Sequence, residues 1–224
     1  MGEGVMEHYI SLFNTILLPA IGETLYMSLT STILAFLIGF MPGVALVLTD
    51  KNGLNPHPKV YMILDFFINT LRSFPFIILI IVLFPITKLI VGQSIGTTAA
   101  IVPLTIGTAP FFAKLVENSF NEIDKSVIEA PRSYGATSLQ IVFRVMLPEA
   151  LPSLISGFTL ILIIVVGFSA MAGTIGGGGL GDVAIRYGYH RFRIDIMIST
   201  VIILIFLVHL FQFLGTLFYK ATKH

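Results

Sequence analysis

The chain of 224 residues contains no cysteine, and only 11% of its residues are charged. Without cysteine the chain can form no disulfide bond, thiolate nucleophile or cysteine-ligated metal site. Its net charge of +1 creates no field that would attract nucleic acid, so we expect no nucleic-acid partner. Soluble domains carry roughly 25% charged residues. With 55% hydrophobic residues and a mean hydropathy of +0.94, the composition predicts an integral membrane protein.

The motifs of common enzymes are also missing. The pattern G-x-x-x-x-G-K-[ST] is absent, so we expect the chain to carry no P-loop, to hydrolyse no ATP and to bind no cofactor itself. The glycines between Gly176 and Gly181 match the dinucleotide pattern G-x-G-x-x-G, but an apolar run rather than a strand precedes them. The scattered histidines lack metal-ligand spacing. We therefore predict neither a catalytic nor a metal site.

Five apolar runs are long enough to cross the ~30 Å hydrocarbon core as helices. They cover residues 20–48, 60–84, 96–116, 151–172 and 194–218. No long linker separates them, so we predict an all-α integral membrane protein with five transmembrane helices in a single domain, residues 1–224. The weakly amphipathic stretch Val5–Leu18 is interpreted either as a helix on the membrane surface or as a short ordered lead-in. Interior prolines predict a kink at Pro75 and a break near Pro85.

Lys and Arg favour the cytoplasmic side of a membrane. An external N-terminus places most of them inside: Lys51, Lys59, Lys114, Lys125, Arg132, Arg144, Lys220 and Lys223. It leaves fewer outside: Lys88, Arg186, Arg191 and Arg193. We therefore predict an external N-terminus and a cytoplasmic C-terminus, although the arginines of residues 173–193 oppose this orientation.

A polar segment, residues 126–148, interrupts the apolar runs between the third and fourth spans. It predicts two short helices joined at Gly135, with capping boxes at Ser126/Glu129 and Thr137/Gln140. Proline is tolerated only in the first turn of a helix, so Pro131 suggests that the first helix begins nearer Ile128. Pro148 is expected to break the backbone before the fourth span. Without further information the segment could be an ordinary capped loop.

This segment resembles the cytoplasmic coupling motif of ABC-importer permeases. That pattern is Glu-Ala-Ala, three residues, Gly, nine residues, Ile, one residue, Leu-Pro. The chain matches it at Glu129, Ala130, Gly135, Leu147 and Pro148. It departs from it at Pro131 and Val145, which stand where Ala and Ile are usual.

Further stretches resemble the methionine-importer branch of these permeases. They are RSFPFIIL at residues 72–79, IVPL at 101–104, LPEALP at 147–152 and GGLGD at 178–182. The resemblance implies a type I ABC-importer permease fold and a homodimer. It also implies two ABC ATPase subunits that bind ATP-Mg on the cytoplasmic side, and a solute-binding protein outside. We expect the ATPase-coupling residues to be Glu129, Ala130, Pro131, Tyr134, Gly135, Ala136, Leu147 and Pro148.

Three groups of residues are candidates for the translocation path. Phe168, Ser169 and Met171 end the fourth span, where small and soft side chains suit either a substrate path or plain helix packing. We also assign Pro75 and Arg72 to the path. The alternative for Arg72 is a structural ion pair with Asp65, two turns away, or a side chain that reaches the membrane interface. The glycines at 176, 177, 178, 179 and 181 are interpreted as an outer-gate loop or as a flexible turn.

Together these observations predict a multi-pass permease subunit of an ATP-driven importer in a bacterial or archaeal plasma membrane, surrounded by lipid. The resemblance indicates methionine, D- or L-, as the substrate. Three alternatives remain: a permease for another small amphiphilic substrate, a channel that uses the glycine loop as its filter, and a membrane-embedded enzyme that uses Asp65 and Arg72.

Overall fold

The computed structural model describes residues 11–222, and this part of the chain is built from helices without a strand. The α-helices are α1 (Leu18–Thr49), α2 (Pro58–Ser73), α3 (Phe76–Val91), α4 (Thr97–Asn121), α5 (Lys125–Ser133), α6 (Ser138–Ile141), α7 (Leu147–Thr174), α8 (Gly179–Val183) and α9 (Ile194–Thr222). Turns of π-helix cover Phe13–Leu17, Val142–Met146 and Ala184–Tyr189. The predicted all-α class is confirmed.

Four continuous helices of the described part are long and apolar enough to cross a membrane. They are Phe13–Thr49, Thr97–Asn121, Ser138–Thr174 and Ile194–Thr222. Each is longer than the predicted apolar run, because helical hydrogen bonding continues into flanking polar residues such as Glu117. The first begins at Phe13 rather than residue 20, so the predicted stretch Val5–Leu18 lies partly in this helix and partly outside the described residues.

The second predicted span, residues 60–84, is not one kinked helix. It is divided into α2 and α3, which are bent by 107° at the break around Phe74 and Pro75. Each has 16 residues and is about 24 Å long, which is less than the ~30 Å hydrocarbon core. Pro75 lies in extended backbone at the N-cap of α3. The predicted break near Pro85 is wrong, since α3 continues through it to a left-handed cap at Gly92.

The expectation that Pro148 breaks the backbone is also wrong, because residues 138–174 form one continuous helix. A π-helical turn, Val142–Met146, lies directly before this proline. Its wider turn carries the N–H of Leu147 to the carbonyl of Val142 and makes room for the proline ring. The second half of the polar segment, from Ser138 onward, is therefore continuous with α7.

The chain separates into two compact units. The first comprises the described residues up to Thr32, Pro75–Ile106 and Leu162–Phe211. One of its apolar clusters contains the buried residues Leu17, Ala20, Leu180, Val183, Ile196 and Leu207. This cluster packs the turn before α1 against α8 and α9.

The second unit comprises Ile33–Phe74, Gly107–Ile161 and the described residues from Gln212. Its main cluster contains the buried residues Val44, Val47, Val116, Phe120, Ile141, Val142, Met146, Ala150 and Leu154. Here α1 lies directly on α4, because a Cβ atom at Gly39 would collide with Ala109 and Phe112 and one at Gly43 with Ala113 and Val116. Such small residues permit the close helix packing found in membranes.

Candidate functional site

The first helix of the polar segment, α5, begins one turn before the residue predicted for it. Its N-cap is Asp124, whose carboxylate accepts a 2.8 Å hydrogen bond from the backbone N–H of Ser126. The predicted capping box of Ser126 and Glu129 is therefore wrong. Hydrogen bonds from the Ser126 hydroxyl and N–H hold the pKa of Asp124 below its usual value. Pro131 consequently lies seventh in α5, near its C-terminal end, rather than in its first turn.

The second half of the segment follows the sequence prediction. Gly135 has a φ of +83°, the left-handed conformation expected where the two helices join. The Thr137 hydroxyl accepts from the N–H of Gln140 at 3.3 Å, and the Gln140 side chain accepts from the N–H of Thr137 at 2.9 Å. This reciprocal capping box is confirmed. It stabilises the start of α6.

The segment lies on the core of the second unit by one face only. Ile128, Ala136 and Leu147 pack against the cluster around Val116 and Ile141. Two of the candidate coupling residues, Ala136 and Leu147, therefore lie on the packed face. Of the others, Glu129, Ala130, Gly135 and Pro148 are exposed and Pro131 is partly buried. Tyr134 is 92% exposed. The arrangement is a short, capped helix whose apolar face is held by the membrane helices and whose polar face remains accessible.

A cavity of about 490 Å³ lies beside α5. Its charged lining residues are Asp50, Lys125, Glu129 and Arg132. Charges of both signs therefore surround the same opening. A partner surface that enters it would meet acceptors and donors side by side.

The candidate path residues at the end of α7 are brought together with α3. The ring of Phe168 stacks on that of Phe76, with centroids 4.2 Å apart and planes 5° from parallel. Ser169 is buried, its hydroxyl donates to the carbonyl of Val166, and Ser28 lies 3.5 Å away. Met171 is 46% exposed. Pro75 directly precedes Phe76, so the break in the second span lies beside this aromatic pair.

Arg72 belongs to the second unit, whereas Phe168 belongs to the first. Its guanidinium lies 5.1 Å from the centroid of the Phe111 ring and donates to Asn69 at 3.4 Å. The alternative of an ion pair with Asp65 is wrong, because Asp65 bonds Lys114.

Sequence reasoning missed the cluster to which Lys114 belongs. The Lys114 ammonium lies 2.5 Å from Asp65 and 2.6 Å from Glu117, and Glu117 also accepts a 2.8 Å bond from the Tyr61 hydroxyl. Lys114 and Glu117 are three residues apart on one face of α4, a spacing that could have signalled the pair. Lys114 lies inside the candidate span Thr97–Asn121, as the predicted span of residues 96–116 implies.

The glycine-rich loop is firmly held. Gly176, Gly178 and Gly179 adopt left-handed conformations, with φ between +75° and +89°. The N–H of Gly179 donates to the carboxylate of Glu23 at 2.6 Å, and the N–H of Leu180 to the hydroxyl of Thr24 at 2.9 Å. The alternative of a flexible turn does not fit these bonds. Glu23 and Thr24 carry no local sequence signal that would have linked them to the loop.

Gly177 and Gly181, the remaining candidate gate residues, are buried. A Cβ atom at Gly181 would collide with the backbone of Ala170. These glycines therefore permit close backbone packing within the first unit.

Comparison with known proteins gives a consistent result. The family model described as "Binding-protein-dependent transport system inner membrane component" matches residues 35–224. The probable D-methionine transport system permease protein MetI of Vibrio cholerae is 46% identical over 224 residues, which cover the whole of both chains. The methionine import system permease protein MetP of Bacillus subtilis is 43% identical over 195 residues, covering 87% of this chain and 88% of the relative.

A solved structure of the MetNI methionine ABC transporter in inward-facing conformation superposes with a TM-score of 0.92. It is 44% identical and covers 93% of this chain and 97% of its own. The predicted ABC-importer permease fold is thereby confirmed. The chain belongs to the family of inner-membrane components of binding-protein-dependent transport systems.

Proposed function

We propose that the chain is the membrane-spanning permease subunit of an ATP-driven importer that takes up methionine, as the D- or the L-isomer. The observation that carries this proposal is the 46% identity to a D-methionine permease along the whole length of both chains. The capped, exposed α5 agrees with it, because an importer driven by a separate ATPase needs a stiff element that this ATPase can move.

The complex contains two copies of this chain, two ABC ATPase subunits and a solute-binding protein. The likeness to the MetNI transporter supports the ATPase and the dimer. Mg-bound ATP belongs to the ATPase subunits, since this chain has no P-loop. The chain spans a bacterial or archaeal plasma membrane, with its N-terminus outside and its C-terminus in the cytoplasm. The ATPases dock on the cytoplasmic side and the solute-binding protein on the outer side.

The coupling residues have distinct roles in this proposal. Glu129 is exposed and meets a basic side chain in the ATPase groove, while Tyr134, 92% exposed, inserts between its side chains. Ala130 is exposed and allows close approach of the ATPase, whereas Ala136 packs on the core of the second unit and holds the segment against it. Pro131 and Gly135 shape the bend. Leu147 and Pro148 lie in the continuous helix of residues 138–174, so a displacement of α5 that passes through the turn at Gly135 reaches the membrane helix without a further break.

Phe168, Ser169, Met171 and Pro75 line the substrate path in the first unit. The exposed thioether of Met171 offers an adaptable apolar surface for a substrate side chain. Arg72 shapes the path within the second unit. The loop of residues 176–181 forms the outer gate, and its bonds to Glu23 and Thr24 hold it in place.

Uptake of labelled methionine tests the substrate. The chain, expressed with its ATPase and binding protein in a methionine-requiring strain without its own importer, should restore growth and uptake. The purified chain alone should neither hydrolyse ATP nor pass current, in contrast to an enzyme or a channel. Uptake of another labelled amphiphilic amino acid, without uptake of methionine, would show that methionine is not the substrate. A current through the purified chain without the ATPase would contradict the importer.

Single cysteines test the orientation, because the chain contains none. Phe192→Cys places a thiol at a residue that is 84% exposed, and Lys220→Cys places one at an exposed residue in the last turn of α9, which is not a proposed coupling residue. An impermeant maleimide should label position 192 in whole cells and position 220 only after lysis. Labelling of position 220 in whole cells would contradict the proposed orientation.

A further inference from the structure

A groove of about 440 Å³ lies beside the start of α9, entirely within the first unit. Its apolar lining residues are Leu12, Phe13, Leu17, Ile196, Ile202 and Ile203. Asp195 and Ser199 add polar groups to it. The groove therefore has an apolar length along α9 and a polar end where this helix begins.

Both walls of the groove belong to helices long and apolar enough to span a membrane, Phe13–Thr49 and Ile194–Thr222. Phe13 is 43% exposed and Ile202 60% exposed, so the groove opens outward. At this depth a membrane protein is surrounded by hydrocarbon rather than water. From Asp195 to Ile202 the helix rises about 11 Å, enough to accommodate part of an acyl chain. Within this length the hydroxyl of Ser199 is bonded to the carbonyl of Asp195, so it needs no partner in the groove.

The polar end has its own charge balance. The guanidinium of Arg193 donates to both carboxylate oxygens of Asp195, at 3.0 and 2.7 Å, so the acid that lines the groove is neutralised. Arg186 pairs with Asp182. Arg191 has no such carboxylate among the described residues, and its guanidinium lies 4.8 Å over the ring of Tyr187. Residues 182–195 thus contain three arginines and two aspartates, which leaves one positive charge in excess.

The backbone next to Arg191 directs an aromatic side chain outward. Phe192 has a φ of +54°, an uncommon conformation for a non-glycine residue, and its side chain is 84% exposed. It lies two residues before the first residue of the apolar α9. Tyrosine is enriched at the lipid headgroup level at both faces of a membrane, and Tyr189, two residues before Arg191, is 63% exposed. The excess charge therefore lies where lipid phosphates are found.

We propose that this groove binds one anionic phospholipid, with an acyl chain along α9 and the headgroup phosphate at Arg191. The single excess charge matches the single net charge of such a lipid. The two hydrogen bonds from Arg193 neutralise the carboxylate of Asp195 at the polar end of the groove, so this carboxylate does not repel the phosphate. The site is separate from the proposed coupling segment and substrate path, and does not depend on the transported substrate.

The chain contains no tryptophan, so one introduced tryptophan reports on the groove alone. Phe13→Trp places it in the groove, and Ile198→Trp, 54% exposed on α9 outside the groove lining, is the matched control. The purified full chain in detergent is titrated with phosphatidylglycerol that carries brominated acyl chains. We expect saturable quenching of the groove tryptophan at about one lipid per chain, and only gradual quenching of the control.

The headgroup is tested in the same titration. A charge near the membrane surface contributes about 1 kcal/mol, so brominated phosphatidylcholine should bind about fivefold more weakly. Arg191→Gln in the Phe13→Trp background should remove this preference, whereas Lys88→Gln should retain it. Identical titration of the two tryptophans, or a preference that survives Arg191→Gln, would overturn the proposal. Tighter lipid binding after removal of residues 2–10 would show that this segment occupies the groove instead. A disulfide between two Ile202→Cys chains would show that a second copy of the chain occupies it.

Discussion

Lys114 and Asp65, 49 residues apart, join α4 to α2 through an ion pair of 2.5 Å. The ammonium also lies 2.6 Å from Glu117, which is 5% exposed. One cation therefore neutralises only one of two carboxylates. In the low dielectric of a membrane protein such a group remains charged only through close partners and hydrogen bonds, and the Tyr61 hydroxyl donates one.

The first prediction compares loss of the cation, Lys114, with loss of one of its two carboxylates. Lys114→Met leaves both acids without their cation and should destabilise the chain by about 3 kcal/mol. Asp65→Asn should destabilise it far less, since the pair of Lys114 and Glu117 remains neutral. Thermal unfolding in detergent measures both variants. Equal midpoints for the two variants would show that the cluster does not stabilise the structure through its charges.

Close packing of α1 on α4 gives the second prediction. Gly43→Ala adds a methyl group that collides with Ala113 and Val116, and should cost about 1–3 kcal/mol. Gly22→Ala, in the same helix, adds the same group where nothing lies within 4 Å. Its unfolding midpoint should stay the same or rise, because alanine favours helix over glycine. A drop for Gly22→Ala equal to that for Gly43→Ala would argue against the close contact.

The third prediction concerns the path. Met171→Trp should lower methionine uptake at least about tenfold if the side chain faces the substrate, because the ring fills the space that the substrate needs. Leu160→Trp is the control, at a residue 59% exposed on the same helix. Amounts of assembled complex should match in both variants. Unchanged uptake in Met171→Trp would remove this residue from the path.

Gly135 provides the fourth prediction. No atom lies within 4 Å of a Cβ atom built on it, so only its left-handed backbone restricts substitution. Asparagine tolerates this conformation and valine does not. Gly135→Asn should therefore keep ATPase assembly and uptake near the wild-type level, while Gly135→Val should reduce both. Equal assembly of the two variants would show that the turn does not position the coupling helix.

The fifth prediction concerns pH and the N-cap of α5. The pKa of Asp124 is lower in the folded chain than in the unfolded one, because the ionised carboxylate accepts hydrogen bonds from Ser126. Its stabilisation is complete above the unfolded pKa of about 3.9. It is lost as the pH falls through the lower, folded value.

Hydrogen exchange of the α5 amides measures this effect. Asp124→Asn should speed exchange at pH 7 relative to the wild type. As the pH falls below about 3.9, the difference between the two proteins should shrink. A difference that grows in acid would contradict the sign of the pKa shift.

Local signals predicted much of this molecule. Apolar runs located the membrane helices, and Thr137, Gln140 and Gly135 marked the cap and turn of the coupling segment, since each acts on residues beside it. The start of α5 was predicted too late because Pro131 was expected in the first turn, whereas it lies near the C-terminal end of a helix capped by Asp124. Pro148 was misinterpreted because the π-helical turn that accommodates it has no simple sequence pattern.

Contacts between residues far apart in the chain could not be predicted from the sequence. Pro75 predicted a kink but not the division of the span with its 107° bend, nor the stacking of Phe76 on Phe168, 92 positions away. The pair of Lys114 and Asp65 and the bonds of the glycine loop likewise join distant segments. Hydrophobic periodicity describes the face of a helix and does not specify which other helix covers it.

The bonds from the glycine loop to Glu23 and Thr24 join residues 156 positions apart. A ribosome therefore delivers the first helix to the membrane long before the two amides that bond these side chains exist. Until Gly179 has been added, the carboxylate of Glu23 lacks this donor in an otherwise apolar helix. Chains that end before residue 179 keep this carboxylate without its donor, so the first helix gains its full set of hydrogen bonds only when the glycine loop has formed.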